Sequence, residues 1–473
     1  MEPESSKDYS ASPGLVLFVL FLAVMGVFGS SLFGFSLFQG GLAQMGLMIG
    51  AVYLVTFLDI RAGFAALVFA VGFSPEFAIG PVNNLRFEDF IMPVLLLSWL
   101  SRATQNRQPF EPTPLNLPIL AILTAGTLSS VLGAVQGYVE PLYTAFRLGK
   151  FFEYYCIYWL FLNNTRTRRD FNALVAVVLV IGLAASVGAI LGAYRGGGAE
   201  PDRAGGPEGE GANIFGGYLM IVCALNMGMF ISAKTGRSRL FHGVGILASF
   251  WAMMLTYSRT SYVALVLGML AVALLRRRAI FGWVMILAII FSALMPESVV
   301  DRARTILDVF GENRPSSWNA RIAGWQGLSH KIVSDPLLGR GVGVIGLSDA
   351  DNEYMLQLVQ SGVLGLGLFL WFIWRQMRIC LETEQVTKGD PLAEGFATGS
   401  SLAIVCLAIH GLGATSFTSI RTMEQLMVVA GLVGALHNRW PEWKPGMARE
   451  AQEGPSVPRR PLIRSFVRPG ASR

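Results

Sequence analysis

Apolar runs long enough to cross a bilayer recur along this chain, and they leave few folds open. A span needs roughly 20 mostly apolar residues, and about fourteen runs qualify. They lie at 14–34, 41–58, 62–79, 87–101, 115–137, 141–162, 171–193, 213–233, 240–257, 261–276, 279–295, 353–374, 395–415 and 422–438. In lipid, each backbone polar group must find its partner within the segment, so runs of this kind read as helices. The expected fold class is all-α: a polytopic integral membrane protein of about 12–14 transmembrane helices with one large outer loop. The runs at 62–79 and 87–101 are the weakest. Pro75, Glu76 and Pro81 interrupt the first, and Glu88 with Asp89 open the second.

Composition excludes an ordinary soluble enzyme. The chain is 53% hydrophobic and 14% charged, with a mean hydropathy of +0.52. Its pI near 9.2 does not point to nucleic acid, because the basic residues lie in short loops and in the tail. Arg61; Arg102 and Arg107; Arg166, Arg168 and Arg169; Lys234, Arg237 and Arg239; Arg276, Arg277 and Arg278; and Arg375, Arg378 and Lys388 form one set of loops. These alternate with loops poorer in basic residues, which puts both termini in the cytoplasm. The first run has no small-residue cleavage site and reads as a retained span. Cys156, Cys223, Cys380 and Cys406 have no paired spacing and read as inert membrane cysteines. Residues 1–440 form the expected membrane domain. The basic, proline-containing stretch 441–473 reads as a disordered cytoplasmic tail, held near anionic lipid.

Two outer loops stand out. Tyr194–Ala212 is glycine-rich and acidic, and contains Arg203. The loop at 296–352 is the large one, with helical-looking stretches at Val299–Phe310 and Trp318–Ile332 and a glycine-rich turn from Pro336 to Gly343. Between two apolar runs sits Ser258-Arg259-Thr260-Ser261. An arginine costs roughly 2.5 kcal/mol or more near the bilayer centre, but at its edge it meets water and anions. Arg203, Arg304 and Arg321 fall on the same side. Guanidinium groups gathered in this way suit phosphate, pyrophosphate or carboxylate. Each also has a plainer reading: Arg259 as a snorkelling interface residue, Arg203 as a solvated partner of Glu208 or Glu210, Arg321 as a helix-surface charge.

Further polar residues carry the same choice. Asp351 either caps the helix that starts near Asn352 or meets substrate. Glu353 sits in that helix's first turn, where its charge suits the dipole. Arg147, Lys150 and Glu153 recur every three residues within a span, as an ion-pair ladder or as the polar wall of a cavity. Arg340 stands in the glycine turn, and Arg421 stands at the outer end of the last hairpin near Thr418 and Glu424. His330 reads as a loop surface residue and His410 as packed or hydrogen-bonded in the bundle. No Walker loop, His/Cys metal spacing or serine-hydrolase elbow is present. No convincing internal repeat is visible, which argues against repeat-built transporter folds.

Several of these segments, in order, resemble the family of bacterial O-antigen ligases and polysaccharide polymerases. They are Arg321-Ile322-Ala323-Gly324-Trp325, the stretch from Asp335 to Gly343, and Asp351-Asn352-Glu353-Tyr354 with Gly362-Val363-Leu364-Gly365. Asp202-Arg203-Ala204-Gly205-Gly206 before Asn213 and the Ser258–Ser261 turn are similar to the family's outer-face arginine motifs. The resemblance runs over roughly 200–375 and implies glycosyl transfer at the periplasmic face of the bacterial inner membrane. The implied donor is an oligosaccharide on undecaprenyl pyrophosphate, with no metal or nucleotide cofactor. Arg259, Arg321 and Asp351 are the expected catalytic residues. Arg203, Arg147, Lys150, Arg340 and Arg421 are the expected substrate-binding residues. Family members often carry histidine where Asp351 stands. That departure favours a polymerase building O-antigen, capsule or exopolysaccharide from lipid-linked repeats. The alternatives are a ligase that moves finished glycan onto an acceptor, and a transporter or flippase for lipid-linked glycan. A separate flippase and a chain-length regulator are partners implied by the resemblance alone; nucleic acid is not.

Overall fold

A computed structural model describes residues 50, 56, 59–74, 77–79, 82–105, 110–195, 201–206, 211–275, 278–305, 316–345 and 350–443. The expected span 14–34, nearly all of 41–58, and the tail from 444 onward lie outside the described residues. Within them the fold is all-α apart from one short hairpin. The elements are α1 (Ile60–Phe73), β1 (Phe77–Ile79), β2 (Val82–Leu85), α2 (Glu88–Gln105), α3 (Asn116–Val135), α4 (Pro141–Asn164) and α5 (Arg168–Ala193). They continue with α6 (Ala212–Ser232), α7 (Gly236–Met254), α8 (Arg259–Leu275), α9 (Ala279–Leu294), α10 (Glu297–Arg304) and α11 (Ser316–Ser334). The last three are α12 (Glu353–Val386), α13 (Pro391–His410) and α14 (Ile420–Trp443).

Each of the twelve apolar runs from 62–79 onward falls on a helix. The run at 62–79 is shorter than expected. Its helix stops at Phe73, and Phe77–Ile79 pairs antiparallel with Val82–Leu85. At the other end, α14 passes through Pro441 to Trp443, beyond the expected start of the tail. Among the described residues, five helices, α3, α5, α6, α12 and α13, are long and apolar enough to cross a membrane. The pair α9 and α10 would add a sixth as one broken span bent by 120°.

Nearly every side chain of α14 from Ile420 to Leu436 is buried, which marks a helix at the bundle centre. Small residues set the closest helix contact. Gly228 of α6 lies against the backbone at Gly395 and Gly399 of α13, and a Cβ there would overlap it. Without a hydrophobic force between helices in lipid, such close backbone approach supplies the packing energy.

The loop before α12 fits into a break in that helix. Gly362 has φ 65° and ψ −166°, which interrupts the i to i+4 ladder. The freed Val363 and Leu364 N–H groups donate to Pro336 O at 2.8 Å and Leu337 O at 3.2 Å. The freed Val359 and Gln360 carbonyls accept from Arg340 N and Gly341 N, both at 2.9 Å. Ser129 Oγ adds a bond to Gln360 O at 2.5 Å. The turn thus satisfies backbone groups that the bilayer would leave unpaired. A Cβ on Gly362 would overlap the Leu337 backbone and stand at a left-handed φ. Gly362→Ala should therefore cost about 2 kcal/mol or more, read as a lower thermal unfolding midpoint in detergent. An unchanged midpoint would show that the break does not depend on glycine.

Candidate functional site

The turn between α7 and α8 is the base of the site. Tyr257 adopts φ 53°, which is rare for a bulky residue. Its hydroxyl donates to Pro201 O at 3.0 Å and meets Ser298 Oγ at 2.8 Å. Ala204 N donates to Leu255 O at 2.8 Å, and Arg203 Nε to Thr256 O at 2.9 Å. The 201–206 segment is thereby laid along the turn. The bend after α9 brings α10 back over the same turn, where Arg302 Nε reaches Tyr257 O at 3.5 Å. Arg259 opens α8, and its Nη1 donates to Thr305 Oγ1 at 2.9 Å.

The guanidinium groups feel one another. The charge of Arg302 acts on both Arg203 and Arg259, and that of Arg321 acts on Arg259. Burial, then the Arg302 charge, pull the Arg203 guanidinium below its ordinary value. An anion placed among them would relieve this crowding.

Arg302 was not singled out from the sequence, whereas Arg304 was. Arg302 follows the buried Val299 by three residues, on the same helix face. Arg304 points to solvent, 70% exposed, and pairs with Asp301 at 2.7 Å. The helical spacing from Val299 is the signal that separates the two.

On the far side, Asp351 has φ 40°. It is not the cap of α12. Asn352 is, with its side chain accepting from Tyr354 N at 2.9 Å and Met355 N at 3.0 Å. The Asp351 carboxylate instead accepts from Arg321 Nε at 3.0 Å. Trp318, Arg321 and Trp325 share a face of α11 by their spacing of three and four. Trp325 Nε1 donates to Ala350 O at 2.8 Å, and the two indoles meet edge to face at 5.7 Å. Two left-handed residues, Tyr257 and Asp351, therefore flank the arginines, and backbone strain of this kind concentrates at functional sites.

The loop from Gly411 to Ser419 joins the two sides. Glu353 is fully buried and accepts from Thr418 Oγ1 at 2.6 Å, Phe417 N at 3.0 Å and Gln357 Nε2 at 2.9 Å. Asn352 Nδ2 donates to Leu412 O at 3.0 Å, and Thr260 Oγ1 to Gly413 O at 3.3 Å. His410 bridges Ser261 Oγ at 3.0 Å and Ser416 Oγ at 2.7 Å. The first turns of α8 and α12 are thus held to one loop.

The other expected residues lie elsewhere. Lys150 pairs with Asp89, and with Glu153 at 3.0 Å. Arg421 is fully buried and donates to the carbonyls of Val71, Gly72 and Ser74, which caps the C-terminus of α1. Tyr154, one turn beyond Lys150 in α4, donates from its Oη to Thr418 O of the loop at 3.3 Å. Arg340 pairs with Asp335 at 2.6 Å and lies over the Tyr138 ring at 4.6 Å. Arg147, on α4, lies with its side chain beside Gly343 of that glycine turn. The structure therefore brings Arg203, Arg259, Arg321 and Asp351 together and adds Arg302.

Glu353→Ala would leave the Phe417 N–H and the Thr418 hydroxyl buried without an acceptor, a cost of about 3 kcal/mol. The expected result is a lower unfolding midpoint and faster proteolysis within 411–419, with a smaller effect for Glu353→Gln. Equal proteolysis of Glu353→Ala and wild type would refute the anchoring role.

No curated protein matches the chain. Residues 244–370 match the family model described as O-antigen ligase. That segment is just over a quarter of the chain and contains Arg259, Arg302, Arg321, Asp351 and Glu353. Over this segment, which carries Arg259, Arg302 and Arg321 with the paired aspartate but not Arg203, the chain is similar to the O-antigen ligase family.

Proposed function

We propose that the protein is a polysaccharide polymerase that joins undecaprenyl-pyrophosphate-linked oligosaccharide repeats at the periplasmic face of the bacterial inner membrane. The observation that carries this reading is the convergence of Arg203, Arg259, Arg302 and Arg321 beside the carboxylate of Asp351. In the proposed step, an acceptor sugar hydroxyl forms a bond to the anomeric carbon of the donor. The bond from that carbon to the pyrophosphate breaks, and undecaprenyl pyrophosphate leaves with the electron pair. Asp351 takes the hydroxyl proton, with its carboxylate oriented by Arg321. The arginines stabilise the charge that grows on the leaving pyrophosphate. Trp318 and Trp325, partly exposed on either side of Arg321, offer ring surface against which a sugar can stack. The bent α10 lies over the turn at Arg259 and limits the water that would hydrolyse the donor.

A ligase that transfers finished glycan to a lipid or protein acceptor is the second reading. The description of the matching family model favours it. Asp351, standing where ligases often carry histidine, favours the polymerase.

A deletion strain complemented with wild type, Arg259→Ala, Arg302→Ala, Arg304→Ala or Asp351→Asn separates these readings. Glycan length is read on a gel, and protein level by immunoblot. The deletion strain should accumulate single repeats. Arg259→Ala and Arg302→Ala should each lower polymer about 100-fold at normal abundance, Asp351→Asn should abolish most of it, and Arg304→Ala should restore it. Long but unattached polymer in the deletion strain would overturn the polymerase reading in favour of the ligase. Full activity of Arg302→Ala would remove that residue from the site.

A further inference from the structure

A second arginine-lined cleft opens at the other end of the bundle. Helix α14 starts at the 411–419 loop and ends at Trp443, whose Nε1 donates to Arg166 O at 3.2 Å. At 1.5 Å per residue, its 24 residues separate the two ends by about 35 Å. The cleft there holds about 430 Å³ and is lined by Arg61, Arg102, Arg166, Asp59, Asp170 and Phe64, among others.

The two carboxylates are already engaged within the protein. Asp59 caps α1 through Arg61 N at 2.9 Å. Asp170 completes the capping box of α5 with Thr167, and its other oxygen lies 2.8 Å from Arg61 Nη2. Arg102, in the last turn of α2, is exposed and makes no hydrogen bond or ion pair among the described residues. Arg166 lies in the short connection between α4 and α5, with its Nε on Asn163 O at 3.1 Å. Burial, then the positive charge of Arg439, pull its guanidinium below its ordinary value. An anion in the cleft would offset both. The remaining lining at Ile60, Phe64, Ala173 and Leu174 is apolar, so the cleft presents cations beside hydrocarbon.

We infer that this cleft binds a phosphate ester, with Arg61, Arg102 and Arg166 around the phosphate and the apolar wall against the rest of the ligand. The chemistry is shared by the headgroup of a phospholipid in the adjoining leaflet and by a soluble sugar or glycerol phosphate. The cleft is independent of the proposed glycosyl transfer, since none of its residues belongs to that site.

The test uses delipidated full-length protein in detergent and native mass spectrometry. The two probes are dioleoyl-phosphatidylglycerol and sn-glycerol 3-phosphate. Wild type should retain one of them, and Arg102→Glu should lower its occupancy about tenfold. The unfolding midpoint should not change, because Arg102 is exposed and makes no hydrogen bond or ion pair among the described residues. Retention of the lipid alone identifies a headgroup site, and retention of glycerol phosphate identifies a soluble ligand. Equal occupancy of both Arg102→Glu and Arg166→Gln with wild type overturns the inference, as does no adduct with either probe.

Discussion

One buried carboxylate holds the two halves of the candidate site in register. Glu353 lies in the first turn of α12 and is closed off from solvent, yet its oxygens accept three hydrogen bonds. Two come from the 411–419 loop, whose other contacts reach Thr260 and Ser261 at the start of α8. A carboxyl group is tolerated at such depth only when its hydrogen-bonding capacity is filled. The loop fills it, and in doing so it fixes Asp351 on one side and Arg259 on the other. The position of the arginines is therefore a consequence of a hydrogen-bonded core beneath them.

The chain handles its buried charge in two ways. Below the loop, cations and anions meet directly. Arg86 pairs with Glu88, Lys150 pairs with Asp89 and Glu153, and Arg421 spends its donors on the carbonyls that end α1. Pairing of this sort offsets the desolvation cost of each partner and holds α1, α2, α4 and α14 together. Above the loop, guanidinium groups stand near one another, and Arg302 repels both Arg203 and Arg259. The first arrangement is consistent with structure, and the second suits a transferable anion such as pyrophosphate.

Much of this was legible in the sequence. Helix positions followed from apolar run length, because a bilayer leaves the backbone no other partner. The turn at Arg259 followed from motif order, and Arg203, Arg321 and Asp351 were singled out there, though not the ion pair that joins Arg321 to Asp351. What escaped was set by three-dimensional packing. Arg302 and Arg304 differ by two residues, and only the burial of Val299 tells which one faces inward. Asp351 and Asn352 are both good caps by type, and the backbone at φ 40° decides that Asn352 takes the role. Arg340 sits in a conspicuous glycine turn, but its main chain repairs the break at Gly362, a contact across nineteen or more residues that no local pattern announces. Arg421 was placed at the outer end of the last hairpin by its position between two apolar runs. Its partners are carbonyls some 350 positions away in α1.

Glycosyl transfer is the central claim, and it is tested most directly with the purified chain in detergent, where transport across a membrane has no meaning. The protein is given an undecaprenyl-pyrophosphate-linked repeat unit, and both the released lipid pyrophosphate and the length of the lipid-linked glycan are followed. The account predicts release of undecaprenyl pyrophosphate in step with growth of the glycan, and loss of both in Arg259→Ala. Donor that stays intact with a folded wild-type protein would contradict it and leave binding or translocation of the lipid-linked glycan as the function of the arginines.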